Sequence, residues 1–169
     1  TGDNRGDINS RRHFTGIGQR RAAEMWLASI RQELLTPKDQ AAALQIGMAE
    51  VDITPPVGFP MAGYYHERLA EGTIDSLKAK AIVFREGETA GALVVCDLIG
   101  IATDLSREVR RRASEKTGIP ASNIVLAATH SHTAPDYMKE LWLYLGKAKQ
   151  EPLRAEYIEK LISGPVDAI

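Results

Sequence analysis

Two histidines in the segment 123–137, NIVLAATHSHTAPDY, carry the clearest chemical signal in the sequence. The segment begins as an apolar strand, and His130 and His132 follow directly after it. Side chains two residues apart in an extended chain point the same way, so both imidazoles are expected to converge on one ion. The carboxyl ends of strands also line the ligand crevice of open α/β sheets. The pattern therefore predicts a metal-dependent hydrolase site.

An H-x-H pattern alone is weak, because a catalytic zinc takes three protein ligands and this pair supplies at most two. The ordinary alternative is one surface histidine and one histidine bonded to the backbone. A metallo-β-lactamase pattern is excluded, since 133–135 separate the pair from Asp136. A barrel amidohydrolase is disfavoured, because such a barrel carries the pair on its first strand and at least two predicted strands precede this one.

Other polar residues are weaker candidates. Asp97 ends an apolar strand, where we expect it to bond a loop backbone or to orient a site histidine. His66 follows a glycine-containing loop. We expect it to be exposed to solvent, because loop histidines are more often solvated than part of a functional site. Cys96 is the only cysteine, and its apolar surroundings predict packing as a small hydrophobe. The sequence has no G-x-S-x-G motif and no reactive cysteine, so covalent catalysis is not expected.

Composition places the 169-residue chain in the ordinary globular range, with 44% hydrophobic and 25% charged residues. The 21 basic and 22 acidic residues leave a formal charge of −1, which gives no support to nucleic-acid binding. No apolar run is long enough for a transmembrane segment, and no signal peptide is visible. Because the chain starts with Thr1 rather than Met, we expect it to be a fragment of a longer protein.

Hydrophobic periodicity predicts a mixed β-sheet flanked by helices, of the α/β or α+β class. The predicted helices are 17–35, 38–44, 104–117, 138–149 and 152–162, and the predicted strands are IGMAEVDIT, 76–85, 92–98 and 123–129. The short link after residue 85 favours an antiparallel hairpin, and the helix 104–117 favours a right-handed parallel crossover. Residues 1–16 have few apolar anchors and are expected to be a loose lead-in.

Four segments together resemble the N-terminal part of the neutral/alkaline, non-lysosomal ceramidase family. They are IGMAEVDITPPVGFPMAGYY, GTIDSLKAKAIVF, ALVVCDLIGI and NIVLAATHSHTAPD, in the family's order and spacing. The similarity covers about residues 45–137. The resemblance implies two parts of the chain, a polar lead-in with a helical segment at 1–44 and the beginning of a zinc hydrolase domain at 45–169.

The resemblance also implies residue roles. His130 matches the histidine that ligates the catalytic Zn²⁺, and His132 matches its neighbour beside the substrate, which would bond the amide or the oxyanion. Gly63 falls in the family's M-x-G-Y loop, where a glycine lets the backbone approach a substrate closely. The implied reaction is hydrolysis of an N-acyl amide, ceramide or a related lipid, by metal-activated water.

The implied partner is a lipid-like or N-acyl amide substrate, with room for peripheral contact with a membrane and with no nucleic acid. A secreted or periplasmic parent protein is implied if it follows the family. The family's remaining zinc ligands are expected beyond Ile169, and Asp136-Tyr137 replaces its usual Gly-Gly, which puts ceramide itself in doubt. Two alternatives stay open: a non-catalytic domain that retains the fold, and a metal-dependent esterase or phosphoesterase.

Overall fold

The computed structural model describes residues 42–64, 66–138 and 151–169, together with residues 8–10, 13–14, 24 and 27–28. The chain divides into two compact units, Thr1–Ala41 and Ala42–Ile169. Of the predicted helix 17–35, residues 24, 27 and 28 are described, and all three are helical. The rest of that helix and all but residue 138 of the predicted helix 138–149 lie outside the described residues.

The first unit contains two short strands, β1 (Ile8–Ser10) and β2 (His13–Phe14). They pair antiparallel, with Ile8 opposite Phe14 and an irregularity between Ile8 and Ser10. Residues 8–10 and 13–14 are therefore extended, where the sequence predicts no regular element. A ladder this short forms through backbone hydrogen bonds, and the polar composition of the segment does not reveal it.

The second unit is built on four strands, β3 (Gln45–Asp52), β4 (Lys78–Glu86), β5 (Thr89–Cys96) and β6 (Ile124–Ala128). They lie in the order β3-β4-β5-β6. The first three pair antiparallel, and β5 pairs parallel with β6. The predicted β4–β5 hairpin and the predicted parallel pairing are both confirmed, and the described residues form an α+β fold with a mixed sheet.

The helix α1 (Thr103–Thr117) connects β5 to β6. Its buried residues, Leu105, Val109 and Ala113, recur every fourth position, which confirms the predicted apolar face. Gly118 ends the helix in the left-handed conformation, with φ 76°, and its N–H donates to the carbonyl of Ser114 at 2.9 Å. This is the glycine cap that the sequence predicts.

The helix α2 (Glu151–Ala168) extends six residues beyond the predicted end at 162 and includes Pro165. Packing explains the difference, because Gly164 lies against the end of β3. A β-carbon on Gly164 would be 2.8 Å from Cγ2 of Ile53. Tyr157 also donates its hydroxyl to the carbonyl of Ile53 at 2.6 Å, which fixes α2 to the sheet.

One segment was assigned the wrong structure. Helix was predicted for 38–44, but residues 42–44 are not helical and lead directly into β3. Pairing of β3 with β4 begins at Gln45 opposite Arg85, so the chain must already be extended there. Tertiary pairing thus overrides the local helical preference of the alanines. Residues 38–41 lie outside the described residues.

The core lies between one face of the sheet and the two helices. Small side chains of β4 and β5 cover this face and let α1 and α2 approach closely, including Ala79, Ala81, Ala92, Val94 and Cys96. On the opposite face Ile46, Met48 and Val125 are 56%, 78% and 53% exposed. Among the described residues, no helix has the length and apolar character needed to cross a bilayer.

Candidate functional site

A long loop after β3 forms one wall of the candidate site. We call residues 58–70 the glycine loop. Its two arms run antiparallel, with hydrogen bonds from the N–H of Gly58 to the carbonyl of Ala70 at 2.7 Å and from Met61 to Arg68 at 2.8 Å. Phe59 anchors the loop because its ring is fully buried and packs 4.6 Å from that of Tyr157 on α2. The glycine loop is therefore an ordered, antiparallel structure.

The second wall is the histidine loop, residues 129–136, which follows β6. It is held against the carboxyl end of β5 by hydrogen bonds from the N–H groups of Thr129 and Ser131 to the carbonyls of Cys96 and Leu98, at 3.0 and 3.1 Å. The two histidines thus lie at the carboxyl edge of the parallel pair β5 and β6, as the sequence predicts.

Backbone contacts join the two loops. The N–H of Ala62 donates to the carbonyl of Ala134 at 2.8 Å, and the N–H of Asp136 donates to the carbonyl of Pro60 at 2.8 Å. Met61 and Pro135 form an isolated β-bridge between them. This pairing brings residue 63 next to residue 132, although 69 residues separate them along the chain.

His130 does not continue the extended strand, which corrects the expected backbone geometry. Its φ is +61°, the left-handed region that a β-carbon disfavours. Its Nδ1 lies 2.7 Å from the carbonyl oxygen of Ile99. Because a carbonyl oxygen only accepts, Nδ1 must carry the proton and donate, and the lone pair of the neutral ring is then on Nε2.

His132 is oriented in a similar way by a different element. Its Nδ1 donates to the carbonyl oxygen of Gly63 at 3.1 Å, which again leaves the lone pair on Nε2. The two histidine rings are 5.3 Å apart between centroids and nearly perpendicular, at 80°. The structure therefore brings together all three residues that the sequence singled out, His130, His132 and Gly63.

The donor set of this pair fits part of a zinc site. Metal-bound histidines usually donate the other ring N–H to a carbonyl or carboxylate, as both rings do here. Within the described ranges, no group of three or more His, Cys, Asp or Glu side chains is arranged to hold an ion. The roles of metal ligand, catalytic residue and substrate contact stay predictions.

Aromatic side chains of the glycine loop surround His132. The ring of Tyr64 meets that of His132 edge-on, at 6.5 Å and 77°, and lies 5.7 Å from the ring of His66. Tyr64 is 51% exposed, and His66 is exposed as expected. Residues 65 and 141–145, which the sequence also suggests as apolar surface near the site, lie outside the described residues.

A groove of about 830 Å³ runs beside the histidine loop. It is bordered by Thr133, next to His132, and by apolar side chains that include Met61, Leu69, Ile74 and Leu77. Leu69 is 41% exposed and Ile74 fully exposed, so the apolar surface extends outwards to solvent. A groove of this size is large enough to hold part of a lipid chain.

Tyr137 is a supporting residue that the sequence reading missed. Its side chain is 1% exposed, and its hydroxyl donates to the carbonyl of Gly100 at 2.9 Å and accepts from the N–H of Ala102 at 2.9 Å. Burial raises the pKa of this phenol to about 12. Gly100 directly follows Ile99, whose carbonyl orients His130, so Tyr137 stabilises the loop behind that ring. The sequence signal that could have identified it is a tyrosine that follows an apolar strand and a proline.

Asp97 and Cys96 have the structural roles that the sequence predicts. The carboxylate of Asp97 accepts from the N–H of Lys78 at 3.0 Å, while its own N–H donates to the carbonyl of Lys78 at 2.9 Å. Cys96 is 1% exposed, and burial raises the pKa of its thiol to about 12. A thiol in this state packs and does not act as a nucleophile.

The solved structures that this chain resembles include two ceramidases. A crystal structure of neutral ceramidase from Pseudomonas aeruginosa superposes with a TM-score of 0.62 at 23% identity, over 77% of this chain and 21% of that one. A ceramidase complexed with C2 superposes with a TM-score of 0.63 at 24% identity, over 76% of this chain and 20% of that one. The described fold is ceramidase-like.

The likeness is one of fold, and it is partial. This chain spans about a fifth of the length of those ceramidases. No protein-family model matches the sequence, and no curated protein matches it either. The structural likeness agrees with the family resemblance of the four sequence segments.

Proposed function

We propose that this chain forms part of a zinc-dependent hydrolase that cleaves N-acyl amide bonds, with ceramide or a related acyl amide as substrate. The observation that carries the proposal is the His130–His132 pair. Both rings lie at the carboxyl edge of the sheet, and both are turned by backbone carbonyls so that Nε2 bears the lone pair. The ceramidase-like fold supports the choice of reaction.

The two histidines have different roles in this proposal. His130 would hold zinc through Nε2, with its ring fixed by the bond to Ile99. His132 would face the substrate and hydrogen-bond the scissile amide or the developing oxyanion. When bound, zinc supplies a hydroxide nucleophile at neutral pH and polarises a carbonyl oxygen. Gly63 orients His132 through its carbonyl and leaves room for the His132 ring, since it carries no β-carbon.

The surroundings of the pair support a lipid-like substrate. Thr133, the residue after His132, lines the same groove as Met61, Leu69 and Ile74. Burying an acyl chain on such apolar surface contributes roughly 0.8 kcal/mol per methylene group. The exposed apolar residues Val57 and Ile74, at 71% and 101%, would also suit peripheral contact with a lipid surface.

The test measures zinc content and hydrolysis separately. In the proposed parent hydrolase, zinc content is determined by atomic emission, and fatty-acid release is followed with a fluorescent ceramide, an N-acyl amino acid and an acyl ester. We expect His130→Ala to lose zinc and turnover, and His132→Ala to keep zinc but lose turnover. Arg107→Ala, which removes an exposed side chain on α1, is the control and should change neither.

Three outcomes would contradict the proposal in different ways. Equal zinc content in His130→Ala and wild type would remove the assignment of the ligand. Zinc binding with turnover of the acyl ester alone would favour the esterase alternative. Zinc binding without turnover of any substrate would favour a non-catalytic domain that retains the fold.

A further inference from the structure

Arg68 connects the glycine loop to the histidine loop through a hydrogen bond to His132. It lies in the second arm of the glycine loop, opposite Met61, and its Nη2 donates to the main-chain carbonyl of His132 at 2.5 Å. The two residues are 64 positions apart in the chain. A hydrogen bond from a charged donor to a carbonyl is stronger than one between neutral groups. This bond therefore fixes the backbone that carries the His132 ring.

The same guanidinium group also supports the neighbour of that ring. Its carbon lies 4.1 Å from the centroid of Tyr64, in a cation–π contact. Tyr64 in turn meets the ring of His132 edge-on. Arg68 thus contacts the main chain of His132 directly and its imidazole through Tyr64, so that one planar group restrains both.

The third observation is an incomplete hydrogen-bond shell around Arg68. Its Nε is buried, and within the described ranges it has no hydrogen-bond partner. A buried donor without a partner is unfavourable, and in a folded protein such a group calls for an explanation. The contact of the guanidinium carbon with the Tyr64 ring and the bond from Nη2 to His132 together account for this arrangement, because they fix where the group lies.

We propose that Arg68 is the positioning residue for His132. The carbonyl of Gly63 sets the rotation of the imidazole, and Arg68 sets the backbone from which the imidazole projects. Without Arg68, the main chain at His132 would be held only through its neighbours Ser131 and Ala134, which bond to Leu98 and Ala62. The consequence for catalysis rests on the proposed function, but the placement of His132 does not.

The first test is spectroscopic and needs neither zinc nor substrate. In the 169-residue chain labelled with ¹³C and ¹⁵N, we follow the carbonyl carbon of His132 and the ring nitrogens of His130 and His132. Arg68→Ala should move the resonance of the His132 carbonyl carbon upfield. It should also reduce the preference of the His132 ring for the Nδ1–H tautomer. The ring of His130 should keep its tautomer, because its acceptor is Ile99.

Two further variants separate geometry from charge. Arg68→Lys keeps the charge but lacks the planar fork, so it should recover only part of the His132 signals. Arg107→Ala removes an exposed arginine from α1, outside the site, and should leave every histidine signal unchanged. If Arg68→Ala does not fold, Arg68→Lys provides the comparison with wild type.

The second test is kinetic. If the chain acts as proposed, Arg68→Ala should lower kcat by about 10- to 100-fold with a smaller change in KM, as is usual for partners that orient an active-site histidine. Zinc content should stay at the wild-type level, because His130 is held separately.

The spectroscopic test can contradict the positioning role without contradicting the proposed function, and the kinetic test can do the reverse. His132 signals identical to wild type in a folded Arg68→Ala or Arg68→Lys chain would overturn the positioning role. Shifted His132 signals in a protein without zinc or hydrolase activity would leave the positioning role standing and overturn the proposed function. A loss of zinc in Arg68→Ala would contradict the separation of His130 from His132.

Discussion

Gly63 and His132 lie so close together that a β-carbon at position 63 would be 2.5 Å from the imidazole Nδ1. The φ angle of Gly63 is +91°, a conformation that side chains rarely adopt. Two independent constraints therefore require glycine at this position, the backbone angle and the space that the ring occupies. The family resemblance suggests that Gly63 lies near a substrate, and the structure adds that it seats a histidine.

We expect Gly63→Ala to destabilise the fold by more than about 1 kcal/mol, because an alanine is strained at positive φ. The clash should also displace the His132 ring and break its bond to the carbonyl of residue 63. Urea unfolding measures the first effect, and the ¹⁵N signals of His132 report the second.

Gly72→Ala is the matched control. Nothing lies within 4 Å of a β-carbon at position 72, and its φ is not in the left-handed region. This change should stay within about 0.5 kcal/mol of wild type. If Gly63→Ala behaved in the same way, the close packing of Gly63 on His132 would be wrong.

The strained backbone of His130 leads to an opposite order of stability at the two histidines. Alanine and glycine both remove the imidazole, but at φ +61° glycine is unstrained. His130→Gly should therefore be more stable than His130→Ala by about 1 kcal/mol. At His132, whose φ is not positive, His132→Ala should be more stable than His132→Gly by about 0.4–1 kcal/mol. Urea unfolding of the four variants makes the comparison.

The same order at both positions would show that His130 is not strained. Strain of this size at a functional residue is often retained because it orients a side chain. Both His130 variants should lose zinc, although they differ in stability. Zinc content therefore reports the role of the imidazole in metal binding, and urea unfolding reports the strain of the backbone.

The sequence predicts the framework of the site well, because hydrophobic patterns decide its elements. Leu105, Val109 and Ala113 define one helical face, and the apolar run from Ala92 onwards defines a buried strand. Once these elements and a parallel crossover are predicted, residues 130–132 must lie at the carboxyl edge of the sheet. The position of the histidines is therefore predictable from local patterns alone.

The orientation of the histidines is not predictable in this way, because it depends on contacts between distant residues. Ile99 and Gly63 accept from the two rings, and Arg68 holds the backbone of His132. No periodicity encodes such hydrogen bonds to main-chain carbonyls. The same limit explains why the extension of α2 was missed, since it depends on Gly164 packing against Ile53.

Tyr137→Phe should destabilise the protein by about 1–3 kcal/mol, because it leaves the carbonyl of Gly100 and the N–H of Ala102 without their buried partner. Thermal and urea unfolding measure this loss. Tyr64→Phe, at a half-exposed position, is the control and should stay within about 0.5 kcal/mol of wild type. An equal effect of the two changes would mean that the Tyr137 hydroxyl does not brace the loop behind His130.

The pH dependence of stability should include a contribution from Glu108 on α1. Hydrogen bonds from Arg111 and then Arg112 lower the pKa of its carboxyl from 4.5 to about 2. Because the folded pKa is the lower one, the stabilisation is fully present above about pH 4.5 and is lost as the pH falls towards 2. The contribution should be small, since these groups are accessible to water and salt.

Glu108→Gln should therefore melt at a lower temperature than wild type at pH 7, and the gap should close between pH 4.5 and pH 2. Arg112 also pairs with Glu159 on α2, so loss of Glu108 loosens a link between the two helices. Glu88→Gln, in the exposed turn between β4 and β5, is the control and should show no such closing gap. A gap for Glu108→Gln that persists at pH 2 would mean that packing, and not the charge, accounts for the loss.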